Sequence, residues 1–525
     1  MNTAVIWITI AVYIAVMVIV AILSSRSAKT LSDLTVGGRS AGAWLSALSY
    51  GTAYFSAVMF VGYAGGTGWQ FGLWGILAGL GNAVFGSLLA WLVLARRTRD
   101  VSKRMNIMTM PQFFERRYQS RNMKVFAAVV TFVFLIPYSA SVYNGLASVC
   151  EVLLKIDANV CKIIIALLAM ILLFLGGYMA QAKADFFQGL VMMGGVALLI
   201  FFVVRSNQVG GLEGILEFAK GKLAVNGEAA NGLPALSGAQ WVSLFATVLM
   251  TSFGTWGLPQ MIQKYYGLKD DREAKRGIII STFFAVLVAG GGYFIGSLSH
   301  MFFGSRLPGE GYLMGAHQDY IIPEMLRLSN MPVILLGIVI VLLISASVST
   351  LCSITLTASS TASMDLIGGR FGKLGAKENT PTVTKILCVL FVIGSYIIAN
   401  TDTPILDMMS YSWGIISGAF LAPYMLALYY KGLNRAGAWA GMVSGFIVGL
   451  VPALCRIVML CAGDGVPAAG SALQSVYNIS KQGPTWACAA MLLSLLMCAA
   501  VSAAVNRVKG RPDTSFFYSG EVGAE

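Results

Sequence analysis

Charge is what this chain has least of. Only 11% of its 525 residues are Asp, Glu, Lys or Arg, where a soluble globular chain carries roughly 25%. Histidine occurs twice, as His300 and His317. The eight cysteines are scattered, with no CxxC pair and no Cys/His cluster, so neither a zinc site nor a disulfide framework is indicated. No nucleophile–base or paired-carboxylate arrangement occurs in the apolar stretches, and nothing marks an enzyme. What is abundant is apolar: 57% of the residues are hydrophobic and the mean hydropathy is +0.75.

The apolar residues gather in stretches of about 20, the length needed to cross a bilayer. They fall at about 3–23, 43–64, 73–95, 124–153, 159–180, 184–204, 239–263, 277–302, 332–365, 385–400, 405–430, 437–460 and 484–505, which predicts an all-α polytopic membrane protein of about thirteen transmembrane helices. Its lipid partner is the bilayer itself. The net charge of +13 then has a simple reading. With the N-terminus outside and the C-terminus cytoplasmic, most Lys and Arg residues fall in cytoplasmic loops of an inner (cell) membrane protein. The basic balance is a topology signal, and no nucleic-acid partner is expected.

The layout divides the chain into 1–42, a peripheral helix and cytoplasmic loop; 43–205, a first five-helix block; 206–238, an external loop; 239–430, a second block; 431–505, two peripheral helices; and 506–525, a polar tail expected to be disordered. Within 206–238, the stretch from Gly211 to Ala224 is expected to form a surface helix. Five is odd, so the two blocks have opposite orientation, a 5+5 inverted repeat. Such repeats place ion and substrate sites near the midplane, where the first helix of each block is interrupted. Gly51 to Ser56 in the first block and Thr251 to Pro259 in the second carry glycine or proline at matching places, where unwinding costs least. A plain kink is the alternative.

A polar stripe runs through the span 332–365. Ala346, Ser349, Thr350 and Ser353 fall at i, i+3, i+4 and i+7 and share one helix face. Hydroxyls gain nothing from lipid, so this face meets another helix, water or an ion. If the second span unwinds around Thr52 to Phe55, its carbonyls can face Ala346 C=O and the Ser349 and Thr350 hydroxyls, an oxygen cage suited to sodium. The alternative is that these hydroxyls bond their own preceding carbonyls and serve close packing. Asp185 is the clearest carboxylate inside an apolar span, where it costs about 2.5–3.5 kcal/mol at the centre and so needs a partner or a function. A boundary position beside Lys183, or a capping role, is equally compatible with the sequence.

Several motifs, in order, resemble the sodium/solute symporter family (sodium/proline, sodium/pantothenate and sodium/sugar cotransporters). Ser32 to Arg39 resembles the stretch before the first core helix. Thr109-Met110-Pro111-Gln112-Phe113-Phe114-Glu115-Arg116-Arg117-Tyr118 resembles the loop after the second. Gly176-Gly177, Asp185 and Gln188 resemble a third motif, and Ser412, Trp413, Gly418, Ala419 and Pro423 the tenth core helix. The resemblance spans about residues 30 to 450. It implies a sodium ion held by the carbonyls of Thr52, Phe55 and Ala346 and the hydroxyls of Ser349 and Thr350, and a second sodium at Asp185 with Ser349 and Ser353. Ala184 and Cys352 stand where hydroxyls are usual in that second pattern. For the solute, the candidates are Ser56, Ala57, Tyr138, Thr251, Thr255, Trp256 and Gln260.

The resulting expectation is a sodium-coupled secondary symporter that works by alternating access, with sodium as its coupling ion. Its cargo is expected to be a small organic solute bearing a carboxylate, an amino acid or a vitamin acid, because half-helix N-termini favour anionic groups. The rivals are a proton-coupled or uncoupled carrier of the same fold, and a sodium-responsive sensor or channel. The lack of core histidines and an expected scarcity of buried carboxylates count against proton coupling. The sequence leaves the solute, the number of sodium ions and the oligomeric state open.

Overall fold

The computed structural model describes residues 3–25, 36, 39–175, 178–309, 317–368, 379–401, 403–463, 467–468 and 470–518. Ser32 to Thr35, Gly37, Gly38 and Gly176-Gly177, parts of two family-like motifs, lie outside them. The helices that build the bundle, in chain order and apart from shorter connecting helices, are α1 (Thr3–Ser25), α2 (Ala43–Tyr54), α3 (Val58–Arg104), α4 (Arg121–Leu154), α5 (Ala158–Leu175), α6 (Tyr178–Val204), α7 (Gly238–Phe253), α8 (Pro259–Tyr266), α9 (Asp271–Phe303), α10 (Val333–Ile367), α11 (Thr380–Ala399), α12 (Ile405–Tyr429), α13 (Arg435–Cys461) and α14 (Gly483–Lys509). Nine helices among the described residues are long and apolar enough to span a membrane, ten if the bent pair α7–α8 counts as one span. About thirteen were expected. Two further apolar stretches, Ala4–Val20 and Ala158–Leu173, are shorter, and α3 is interrupted at Phe71–Gly72, where Gly72 has φ 60°.

Helix is the natural state here because hydrocarbon offers no partner for a backbone amide. The ends are fixed by polar side chains near the surface. Ser237 and Gln240 form a capping box on α7. Asp270 accepts from Glu273 N (2.9 Å) to start α9. Glu273 in turn accepts from Ala43 N (2.6 Å), capping α2 from the opposite repeat.

Burial separates core from periphery. The apolar windows of α10 and α12 are 78% and 89% buried, whereas those of α13 and α14 are 28% buried. α10 packs against α1, α2, α4 and α6. The repeats meet backbone to backbone. A Cβ on Gly68 of α3 would overlap the Gly296 carbonyl of α9, and one on Gly296 would overlap that of Ala64.

Both repeats open on a broken helix. α2 stops at Tyr54, and Phe55 turns extended (φ −102°, ψ 97°). α7 stops at Phe253, passes through one tight turn (Gly254–Gly257) and the extended Leu258, and resumes as α8 with a 49° bend. Proline at the first position of α8 has no amide to lose.

Three expectations need correction. The surface helix expected over Gly211–Ala224 ends at Ala219, and Leu223–Val225 (β1) pairs antiparallel with Glu228–Ala230 (β2) in a small hairpin on an otherwise helical chain, because Asn226-Gly227, both at positive φ, make a hairpin turn. The tail is ordered as far as Tyr518. Phe517 packs on Phe113 and Tyr518 Oη donates to Ala427 O (2.6 Å), so aromatic burial overrides polar composition; residues 519–525 lie outside the described set. Buried carboxylates are not scarce either. Asp185, Asp319, Glu324, Asp365 and Asp407 are all at most 5% exposed. Asp319 and Glu324 lie outside the expected spans, and Asp365 and Asp407 fall in the end turns of theirs.

Candidate functional site

The break in α2 frees carbonyls that the next turn would otherwise occupy. The polar face of α10 lies opposite. Thr350 Oγ1 is 3.0 Å from Thr52 O and 3.0 Å from Ala346 O, so one hydroxyl assigned to the sodium cage reaches a cage carbonyl on each helix; the Ala346 contact is also the i−4 bond that the packing alternative expects. Phe55 occupies the extended position itself, stacked on Tyr54 with ring centroids 4.0 Å apart. The Ser349 hydroxyl turns the other way and donates to Asp185 Oδ1 (2.6 Å).

Asp185 is wholly buried. Its charged partner is a lysine from the other repeat, Lys264, rather than Lys183. Ser49 Oγ donates to Asp185 Oδ2 (2.5 Å), and Lys264 Nζ lies 2.8 Å from Ser49 Oγ and 3.4 Å from Asp185 Oδ2. Sequence reasoning missed both Lys264 and Ser49. Lys264 follows Gln260 by one helical turn on α8, but the span expected there ended one residue earlier, and the lysine passed for a loop charge. Ser353, one turn beyond Ser349 on α10, is buried. Cys352 points its thiol at Ala169 O of α5 (3.8 Å).

The solute candidates divide. Thr251 Oγ1 is 2.8 Å from Asn82 Oδ1 and 2.8 Å from Thr247 O, Thr255 Oγ1 donates to Ser252 O (2.8 Å), and Trp256 Nε1 donates to Phe85 O (3.0 Å). Their hydrogens are committed to holding the broken helix in place. Ser56 Oγ accepts from Val58 N (3.2 Å) to restart the first half-helix, and Ala57 packs against Gly145 of α4. Tyr138 and Gln260 differ. Both ends of the Gln260 amide and Trp413 Nε1 are buried with no hydrogen-bond partner among the described residues, whereas Tyr138 Oη faces the Ser56 hydroxyl. The Tyr138 and Trp413 rings meet edge to face at 5.6 Å, and Trp413 also lies against Tyr54 beside the break. Unpaired buried donors and acceptors are costly unless a ligand completes them.

Polar groups gather at both ends of the bundle. Near the hairpin, a cavity of about 680 Å³ is lined by Thr67, Gln70, His317, Asp319, Asp407 and Lys481, among others. Lys481 Nζ pairs with Asp407 Oδ2 (2.7 Å) and His317 Nδ1 lies 3.4 Å from Asp319 Oδ2. Burial would lower the His317 pKa, but the hydrogen bond and charge of Asp319 outweigh it, and the net shift is upward. At the opposite end Thr109 Oγ1 and Gln112 Nε2 donate to Asp365 (2.6 and 3.0 Å), tying the short helix Met110–Tyr118 before α4 to the end of α10.

The model of the sodium:solute symporter family matches residues 34–445. A sodium/proline symporter of Staphylococcus aureus is 26% identical over 456 residues, 85% of each chain. Among solved structures, a substrate-bound, outward-open sodium-coupled sialic acid symporter superposes with a TM-score of 0.69 at 17% identity, covering 95% of this chain and 97% of the other. A manganese transporter of Eremococcus coleocola superposes with a TM-score of 0.53 at 12% identity, over 90% and 100%.

Proposed function

The chain belongs to the sodium:solute symporter family and is a multi-pass transporter rather than an enzyme; from that premise we propose that it imports a small carboxylate-bearing organic solute, an amino acid or a vitamin acid, together with sodium. The single observation that supports the sodium site is the approach of Thr350 Oγ1 to Thr52 O across the break, with Ala346 O beside it. Sodium bound there joins α2 to α10 and favours one of the two arrangements of the bundle, which is all that coupling requires. Phe55 O completes the proposed set; the Ser349 hydroxyl, which donates to Asp185 in this structure, joins it only on rotating. The solute sits beside it, against Tyr138, Trp413 and Gln260, the last two with polar atoms unpaired among the described residues, with its carboxylate toward the freed amides of a half-helix.

One sodium moving through 100 mV yields about 2.3 kcal/mol, and a tenfold gradient adds about 1.4. Together they sustain an accumulation of several hundred-fold for a neutral solute. On this reading the protein lies in the cell membrane with its N-terminus outside and its C-terminus in the cytoplasm, as the distribution of Lys and Arg favours.

The test is a thermal-shift screen of the purified protein against amino acids and carboxylic vitamins, in sodium chloride and in choline chloride at fixed pH. A solute that stabilises only in sodium, and whose radiolabelled uptake into proteoliposomes needs sodium, is the expected result. Uptake indifferent to sodium but driven by a pH gradient would favour the proton-coupled carrier, a reading that the five buried carboxylates keep in play. Single-channel currents would favour the channel.

A further inference from the structure

We propose that the Lys264 ammonium is a built-in cation that fills the second cation position beside Asp185, so that the protein binds a single sodium ion. This rests on the sodium-symport reading above.

Asp185 has two oxygens, and both are engaged. Oδ1 receives the Ser349 hydroxyl; Oδ2 receives the Ser49 hydroxyl and faces Lys264 Nζ. Lys264, Ser49 and Asp185 close a triangle in which the ammonium donates to the serine oxygen and the serine donates to the carboxylate. The side chains of Lys264 and Asp185 are 3% and 0% exposed. A buried carboxylate demands a counter-charge at close range, and here the chain supplies it covalently.

The surrounding ligands agree. A second alkali ion would be held by hard oxygen donors, but the residue between Ser349 and Ser353 on the same face is Cys352, a soft ligand whose thiol is turned toward α5. The elements that meet at the triangle are α2, α6, α8 and α10. Two of them, α2 and α10, also carry the first cation's oxygens. A lysine on α8 therefore performs the bridging that a mobile ion would perform, but it cannot leave. The carboxylate stays neutralised throughout the cycle, and a neutral solute moves with one charge instead of two.

Equilibrium binding of 22Na+ to the purified full-length protein in detergent decides the matter. The wild type should bind one sodium per chain. Lys264→Ala, which removes the tethered charge and opens space beside Asp185, should bind two, and Lys264→Ala combined with Asp185→Asn should return to one. Lys264→Ser is measured in parallel, should the alanine variant fail to fold, and should also bind two. The melting temperature of either Lys264 variant should rise more steeply with sodium concentration than that of the wild type. Two sodium ions on the wild type, or one on a folded Lys264 variant, overturns the inference and leaves symport standing. No sodium on the wild type overturns the symport reading itself, and this inference with it.

Discussion

The hydroxyl of Thr350 stands 3.0 Å from the carbonyl of Thr52, a residue 298 positions earlier in the chain. One oxygen thus joins the broken helix of the first repeat to the polar face of α10. A hydrogen bond to a charged partner is worth about 1.5–3 kcal/mol, and losing one ligand of a cation should cost a similar amount. Thr350→Ala should therefore weaken sodium binding by about tenfold or more, with protein still folded in the membrane. Thr350→Ser should restore it, whereas Thr350→Val, equal in volume, should not. Combining Thr350→Ala with Ser349→Ala should weaken it further. Sodium titrations of 22Na+ binding give the answer; an unchanged affinity in Thr350→Val would remove Thr350 from the site.

The Asp185–Lys264 pair makes a separate prediction about stability. Removing one partner of a buried pair strands the other charge, at about 3–5 kcal/mol, while replacing both by neutral groups is often tolerated. Asp185→Asn alone should lower the melting temperature markedly. Asp185→Asn with Lys264→Met should recover most of the loss. Equal melting temperatures for the single and double variants would mean that the two charges do not depend on each other.

Why was that pair invisible while the breaks were not? Gly51, Gly254, Gly257 and Pro259 announce weak helix by their chemistry alone, and the spacing of Ala346, Ser349, Thr350 and Ser353 announces one face. Both signals are local. Lys264 lies 79 positions from Asp185 and close to a basic loop, and hydropathy counts it with its neighbours. Only the bend at Leu258 carries α8, and with it Lys264, back into the bundle. The same holds for Asp365, whose partners Thr109 and Gln112 precede it by more than 250 residues. Nor does spacing fix rotamers: Ser349 and Thr350 are adjacent on the face, yet one hydroxyl serves Asp185 and the other Thr52.

His317 should make stability depend on pH. Its pKa in the folded protein is raised above 6.5, the hydrogen bond and charge of Asp319 outweighing burial. A raised folded value means that the protonated form is favoured by folding, so the contribution is complete below about 6.5 and is lost as pH rises through the folded value. The melting temperature should fall across that window. His317→Gln should flatten this part of the profile, and a slope left unchanged would assign it to another group.

Gly68 and Gly296 should tolerate no side chain. The atoms that a Cβ would meet are backbone carbonyls, which cannot move aside as a flexible side chain can. Overpacking of this kind costs at least about 1–3 kcal/mol. Gly68→Ala and Gly296→Ala should each reduce folded protein in the membrane, as read by fluorescence-detected size exclusion, whereas Gly238→Ala, with open space around its Cβ, should not.

Gln260 tests whether the unpaired polar atoms belong to the solute. Its amide is fully buried, with neither end bonded among the described residues. An unsatisfied buried group costs about 1–3 kcal/mol, so a purely structural Gln260 would be a defect. Gln260→Leu, similar in size and apolar, should raise the melting temperature of the solute-free protein and abolish the additional stabilisation that solute gives in sodium, while sodium binding itself stays within about twofold. That combination, gain of stability with loss of solute response, is what a site held open for its ligand should show. A variant that is stabilised and still responds fully to solute would mean that the amide points elsewhere, and the solute position between Tyr138 and Trp413 would have to be redrawn without it.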